Sequence, residues 1–272
     1  MKGITLWGMN RNVDYDQLPQ RLIVQSPFKQ QPILSYGLIP YSRATGRWLI
    51  VQRRHSPALM LLLRGSYRVA QVPLFISYLP RSELIKVNQV QGNWGRFQAL
   101  YTDTIGTIDE QDMNYGYLRW CECIKGPYPL PEGRPEPEWL WPKGVQNSTK
   151  EEPLDCAYRE FREETGVSEV GSIKQPACNE VVKGLTGRVY KTYCWLYVMD
   201  DEAPLSEPVG DCEVGARRWV SESEAKLLLS HTRWRMLKQA KKLLQRSAGE
   251  KTCFKSFYLS PLDLCEMGSL RS

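Results

Sequence analysis

Histidine is nearly absent from this chain: of 272 residues only His55 and His231 are histidine. Cysteine occurs eight times, but its one close pair, Cys121-x-Cys123, lacks the two-residue gap of a zinc knuckle and has no histidine beside it. Both facts argue against a Cys/His metal cluster, and reduced thiols filling gaps in the core are expected. Long apolar runs are missing too. One apolar run, Ala58–Leu63, is closed by Arg64 and falls far short of the roughly 20 residues of a membrane span. The opening MKGITLWGMNRN lacks the basic, apolar, small-residue order of a secretory leader. The expectation is a cytoplasmic protein with no membrane partner. No internal repeat is visible, and 42% apolar with 24% charged residues describes a chain able to build a core rather than a disordered or collagen-like one.

What the chain does carry is localised positive charge. Its net +6 is exceeded by one segment, His231 to Lys255, where Arg233, Arg235, Lys238, Lys241, Lys242, Arg246, Lys251 and Lys255 face only Glu250, a net +7. The rest of the chain is therefore close to neutral. A concentrated basic face suggests a polyanionic partner, with a solvated helix face as the bland alternative.

Along the chain, residues 1–30 have no clean period and read as an arm. Ile33 to Tyr41, a turn at Arg43-Ala-Thr-Gly46 and the run WLIVQRR predict a β-hairpin. Residues 56–135 mix apolar stretches, a helix-like PRSELIKV and a part rich in Trp, Tyr and Gly, and end in the proline-dense PYPLPEGRPEPE, an extended connector. Glu138 to Trp141 is a short strand candidate. Leu154 to Thr165 predicts a helix stopped by Gly166. Val181 to Met199 alternates around Gly184 and Gly187 as a second hairpin, and Arg217 to Val220 is a last strand. Ser221-x-x-Glu224 is a capping box ahead of one or two helices from Ala225 to Arg246, and residues 247–272 form a tail. The expected class is a mixed sheet with flanking helices.

The densest chemistry lies between Gly144 and Val167. On a helix Glu160, Glu163 and Glu164 are related by three and four residues and share a face, where like charges repel and raise one another's pKa unless a cation intervenes. Hard divalent cations take oxygen ligands, so Mg²⁺ or Mn²⁺ is the natural partner, and such ions serve enzymes that handle phosphates. Three glutamates alone are more often a solvated acidic face. Arg159, four residues before Glu163, is placed to pair with a carboxylate.

The surrounding pattern narrows the choice. Glu151, seven residues, Arg159-Glu160-Phe161, one residue, Glu163-Glu164, one residue and Gly166-Val167 resemble the Nudix box, G-x5-E-x7-R-E-U-x-E-E-x-G-U with U apolar. The one departure is that six residues, not five, separate Gly144 from Glu151, which reads as a one-residue loop insertion. The resemblance implies an α+β, α/β/α Nudix fold over 31–55 and 136–246, interrupted by an inserted module at 56–135. It also implies hydrolysis of a diphosphate linked to another group, with Glu160, Glu163, Glu164 and the Gly144 carbonyl at the metal, Arg159 orienting Glu160, and Glu151 assisting from the loop. A further glutamate often acts as ligand or general base in this family. Glu213, six residues before Trp219, is the candidate, in a spacing that resembles the E-x5-W segment of decapping relatives, with Glu180 and Glu207 as competitors.

For the substrate, the layout resembles the mRNA-decapping Nudix proteins of large DNA viruses, of the African swine fever virus and poxvirus type. WPKG followed by PLDCAYREFREETG, and a long insertion after a QRR-like strand, carry that resemblance. It implies capped RNA as partner, with 7-methyl-GDP released and Arg233, Arg235, Lys238, Lys241, Lys242 and Arg246 as an RNA track. The inserted module, with Arg64, Arg68, Arg81, Lys86, Arg96, Arg119 and Lys125, would help to grip RNA. Nine Trp and fourteen Tyr leave aromatics that stack a base. The alternatives are a Nudix enzyme of small molecules, such as diphosphoinositol polyphosphates or nucleoside diphosphate derivatives, and a non-catalytic RNA-binding protein on the same fold.

Overall fold

A computed structural model describes residues 31–106, 109–130, 136–168, 171–205 and 213–249. The arm 1–30, Glu207, Lys251, Lys255 and the tail from residue 250 onward lie outside the described residues. Strands β1 (Ile33–Ser42), β2 (Trp48–Arg53), β3 (Trp139–Leu140), β4 (Lys143–Gly144), β5 (Ser172–Lys183), β6 (Val189–Met199) and β7 (Val214–Val220) join in one mixed sheet. Its spine runs β3-β2-β1-β6-β5, with β4 against β1 and β7 against β2. β1 and β6 are parallel in unbroken register from Ile33↔Tyr190 to Ser42↔Met199, and the other pairings are antiparallel.

Period-two alternation splits this sheet into two buried faces. Tyr36, Leu38, Leu49, Tyr197 and Trp219 pack on Cys156, Ala157 and Phe161 of α6 (Pro153–Thr165). Ile39, Trp48, Ile50, Leu196 and Val220 pack on α7 (Glu222–Leu228) and α8 (His231–Gly249) through Ala225, Met236 and Leu237. The result is an α/β/α sandwich of the α+β class. Fully buried side chains such as Phe161, edge-on to Tyr197 at 5.2 Å, each contribute about 1.5–3 kcal/mol by leaving water. Pro40 is tolerated inside β1 because its position faces the break between the β4 and β2 pairings: Leu38 N–H donates to Pro142 and Ser42 N–H to Arg47 on that side, with Pro40 between them.

Between β2 and β3 the chain builds a separate helical module of α1 (Pro57–Leu63), α2 (Val72–Tyr78), α3 (Arg81–Val90), α4 (Trp94–Ile105) and α5 (Glu110–Cys123). Its core of Leu59, Leu62, Phe75, Leu84, Phe97 and Trp120 also takes in Leu185 from the turn between β5 and β6. Sequence patterning showed only PRSELIKV as helical here. The Trp/Tyr/Gly stretch is helical as well, because its aromatics recur at helical spacing to bury Phe97, Tyr101 and Trp120, with Asn93 and Asp109 capping α4 and α5. Gly116 lets α5 cross α1, since a Cβ there would stand 2.0 Å from the Leu63 carbonyl oxygen.

Elsewhere the expectations shift in extent. The Glu138 to Trp141 strand shrinks to Trp139–Leu140, β5 begins at Ser172, β7 at Val214, and the C-terminal helical stretch divides into α7 and α8. Both hairpins, the Gly166 stop in the left-handed region (φ 70°) and the Ser221/Glu224 capping box are present. The described cysteines 121, 123, 156, 178 and 194 are free thiols. Among the described residues no helix is long and apolar enough to cross a membrane.

Candidate active site

Helix α6 begins with Pro153 at its first turn and buries Cys156, Ala157 and Phe161, which turns Arg159, Glu160 and Glu163 outward along one side. β4 runs beneath that side, with Gly144 opposite Tyr36 and Lys143 opposite Gly37. The glycine at 144 makes room for the carboxylate of Glu160, which lies directly over it: a Cβ would sit 2.0 to 2.3 Å from that carboxylate and push it aside. The Gly144 carbonyl accepts a weak bond from the Cys156 thiol at 3.7 Å.

Arg159 organises the acidic groups. Its guanidinium donates to Glu151 from Nε at 2.7 Å and from Nη2 at 3.2 Å, to Glu160 at 2.7 Å and to Glu163 at 2.9 Å, and also to the Val145 carbonyl at 3.0 Å. Glu151 is held well below the usual carboxylate range by Arg159 and by the Asn147 N–H, so it remains the anionic anchor of the arginine. The expected link from Arg159 to Glu160 is thus part of a wider fork, through which Glu151 acts.

Two of the carboxylates are pushed the other way. Burial raises Glu160, against the pull of Arg159, and Glu163 and Glu213 add to the rise. Glu164, whose carboxylate accepts the Lys143 N–H at 2.9 Å, is pushed up to about 8, first by burial and further by Glu160 and Glu213, although Arg53 opposes. Glu213 therefore acts on the same field as Glu160 and Glu164. Its carbonyl accepts the Arg54 N–H at 2.7 Å, which ties its loop to the end of β2. Glu180 does not: it is buried under the opposite face of the sheet, 3.2 Å from both Lys143 Nζ and Arg233 Nε.

Among the described residues no three His, Cys, Asp or Glu side chains converge as a ready-made metal centre. The donor set nevertheless fits a hard divalent cation. Glu160, Glu163, Glu164 and Glu213 supply only oxygen, Gly144 offers a carbonyl, and burial with neighbouring carboxylates raises Glu160 and Glu164, a cost that a bound cation would offset. Lys143, through its N–H, and Arg53 belong to this site as well. A backbone donor leaves no trace in sequence, and Arg53 was visible only as part of a strand.

The basic residues divide. Arg233 is buried, pairs with Glu138 and Glu180, and donates to the Trp139 carbonyl, so it is a core residue and not part of an RNA track. Its charge leaves water only because two carboxylates meet it. Lys241 pairs with Glu222. Arg235, Lys238, Lys242 and Arg246 are exposed on α8, which covers the sheet face opposite α6. A cleft of about 450 Å³ opens on the inserted module beside Lys86, Arg96 and Asp103. Arg54 joins it to the Glu213 loop, with its guanidinium 3.1 Å from Asp103.

Residues 125–243 match the family model described as the NUDIX domain. That span starts after the helical module, whereas β1 and β2, which complete the sheet, precede it. No curated protein matches the chain. Among solved structures it aligns with an Ap4A hydrolase from C. elegans at 14% identity, over 79% of this chain and 98% of that one, with a TM-score of 0.42. It aligns with the NUDIX domain of Shewanella oneidensis NrtR complexed with ADP ribose at 12% identity, over 81% and 94%, with a TM-score of 0.43. With the E. coli ORF135 protein the values are 13% identity, 83% and 100%, and 0.41. None of the three bears on the substrate.

Proposed function

We propose that this protein, whose residues 125–243 match the NUDIX domain model, hydrolyses the diphosphate linkage of the RNA 5′ cap, with Mg²⁺ or Mn²⁺, to 7-methyl-GDP and 5′-monophosphorylated RNA. The observation behind this reading is the inserted helical module. It has its own core and meets the sheet at the end that bears the carboxylates, where Arg54 touches both Asp103 of α4 and the Glu213 loop. A small diphosphate needs no such second body, and a polymer finds in it a surface beside the reacting bond.

When bound, the cation supplies neutralisation of phosphate charge and a lowered pKa for water. Glu160, Glu163, Glu164 and the Gly144 carbonyl hold it. Arg159, anchored by Glu151, keeps Glu160 and Glu163 in one arrangement, so little reorganisation remains for the reaction itself. The Glu213 carboxylate takes the proton of the attacking water as its oxygen bonds to phosphorus and the bond from phosphorus to the bridging oxygen breaks. Arg235, Lys238, Lys242 and Arg246, on the far layer, bind RNA downstream of the cap.

The test uses cap-labelled RNA, free cap dinucleotide and diphosphoinositol phosphates with Mg²⁺ or Mn²⁺. Release of 7-methyl-GDP from RNA, reduced by about 100-fold or more in Glu163→Gln, is expected. Turnover of the small substrates with RNA left intact replaces this reading by a small-molecule one, and RNA binding without any turnover makes the protein a scaffold.

A further inference from the structure

The strand registers set one row of residues across the α6 face of the sheet. Gly144 of β4 stands opposite Tyr36 of β1, Tyr36 opposite Tyr193 of β6, and Tyr193 opposite Asn179 of β5. The row begins beneath the Glu160 carboxylate, which lies on Gly144. Tyr36 is buried and stacks on Tyr193 with ring centroids 6.0 Å apart and planes 18° from parallel, while Trp195 leans on Tyr36 at 6.2 Å. Tyr193 is only half-buried and Asn179 is exposed. The next row, Leu34, Lys191 and Val181, is also open, with Leu34 and Val181 39% and 54% exposed. Helix α6 packs on β1 and β4, and among the described residues Leu34, Asn179 and Val181 stay exposed beyond it.

A half-open aromatic ring, fixed from behind by a second ring, is a stacking surface held in place before any ligand arrives. Strands lie about 4.8 Å apart, so Tyr193 stands roughly 10 Å from Gly144, a span that a ribose and its phosphates bridge. Asn179, one strand further, carries an amide that both donates and accepts, as the edge of a base requires. A two-ring base covers the step from Tyr193 to Asn179. The Lys191 ammonium lies over the Tyr193 ring, 4.9 Å from its centre, in a cation–π contact that an incoming base displaces, which leaves the cation beside an anionic nucleotide.

Resting on the diphosphatase reading above, we propose that Tyr193 is the stacking platform for the purine base of the substrate's nucleoside diphosphate, with Asn179 meeting the edge of that base. The base lies along the row and its phosphates run over Tyr36 to the carboxylates. This assigns the cap guanine, in the decapping reading, to the β5 and β6 side of the catalytic face and leaves the helical module free for the rest of the polymer.

The platform is tested by calorimetric titration of the intact protein with GDP, UDP and inorganic pyrophosphate in the presence of Mg²⁺. Tyr193→Phe keeps the ring and is expected to bind GDP as the parent does. Tyr193→Leu keeps apolar bulk without a stacking face and is expected to weaken GDP by about 10-fold or more, with its melting temperature measured alongside. Asn179→Ala narrows the preference for GDP over UDP. Tyr190→Ala, on the same strand but the other face, leaves GDP binding unchanged. A Tyr193→Leu protein that binds GDP like the parent, or a parent that binds pyrophosphate as tightly as GDP, overturns the proposal. GDP binding that depends on Tyr193 in a protein that leaves capped RNA intact sustains the platform and removes the decapping reading. Decapping with GDP affinity indifferent to Tyr193→Leu does the reverse.

Discussion

Glu180 is a carboxylate whose burial alone raises its pKa, yet Arg233 and Lys143 beside it hold it below the usual glutamate value of 4.5. Because the folded-state value is the lower one, ionised Glu180 adds stability above pH 4.5 that disappears as the pH falls through the folded value. Glu180→Gln leaves Arg233 and Lys143 facing less negative charge, and a loss of about 3 kcal/mol at pH 7 is expected, narrowing toward zero as the pH drops below 4.5. Melting curves of the two proteins from pH 3 to 7 check this; curves that stay parallel throughout refute it. At Gly144 the prediction concerns activity instead. The methyl of Gly144→Ala must displace the Glu160 carboxylate, and a misplacement near 1 Å lowers the rate by about 100-fold while the fold survives. Single-turnover rates and a melting temperature measured on the same preparation separate the two effects. The sequence alone pointed to Glu160, Glu163 and Arg159, because helical spacing is local. It did not show that Glu180 is a core ion-pair partner, since Lys143 and Arg233 reach it from 37 and 53 residues away.

Among the elements, α6 was legible nearly to the residue because its proline start, its glycine stop and its apolar side all lie within one short stretch. The helices of the inserted module were less so. Two of them have only seven residues, and all bury their apolar sides against other helices, so the period does not stand out until the partners are known. The crossing of α1 and α5 illustrates this: Gly116→Ala drives a methyl into the Leu63 carbonyl, and overpacking of this kind typically destabilises by about 1–3 kcal/mol. Chemical denaturation followed by tryptophan fluorescence is expected to show that loss, and an unchanged midpoint means the helices separate freely. The basic helix α8 divides by face in the same way, with Met236, Leu237 and Ala240 turned to the sheet and Arg235, Lys238, Lys242 and Arg246 to solvent.

For the molecule as a whole, the exposed stripe and the buried arginine separate two effects that sequence counts together. Neutralising Lys238, Lys242 and Arg246 to Gln leaves the melting temperature within a degree or so, and lowers the slope of log affinity for single-stranded RNA against log salt by about 0.7 for each phosphate that no longer meets a cation. Arg233→Gln instead destabilises the fold, because Glu138 and Glu180 lose their shared cation. Binding titrations from 50 to 300 mM salt decide between these; an unchanged slope in the triple variant removes α8 from RNA binding.

The sequence by itself determined a glutamate spacing that resembles the Nudix box, the hairpins, the mixed class of sheet and helices, and the separation of an acidic helix face from a basic end. All of these rest on spacings of a few residues, where backbone geometry alone sets which side chains are neighbours. Only the tertiary structure decided that Glu180 stands apart from the site, which arginine is withdrawn into the core, and which tyrosine stands in line with the carboxylates. Glu180 and Tyr193 take their places from strand register and from the face of the sheet they occupy, and Arg233 from the side of α8 turned to the sheet. Register is a contact between distant segments, and a shift of one residue would have sent each strand side chain to the opposite layer.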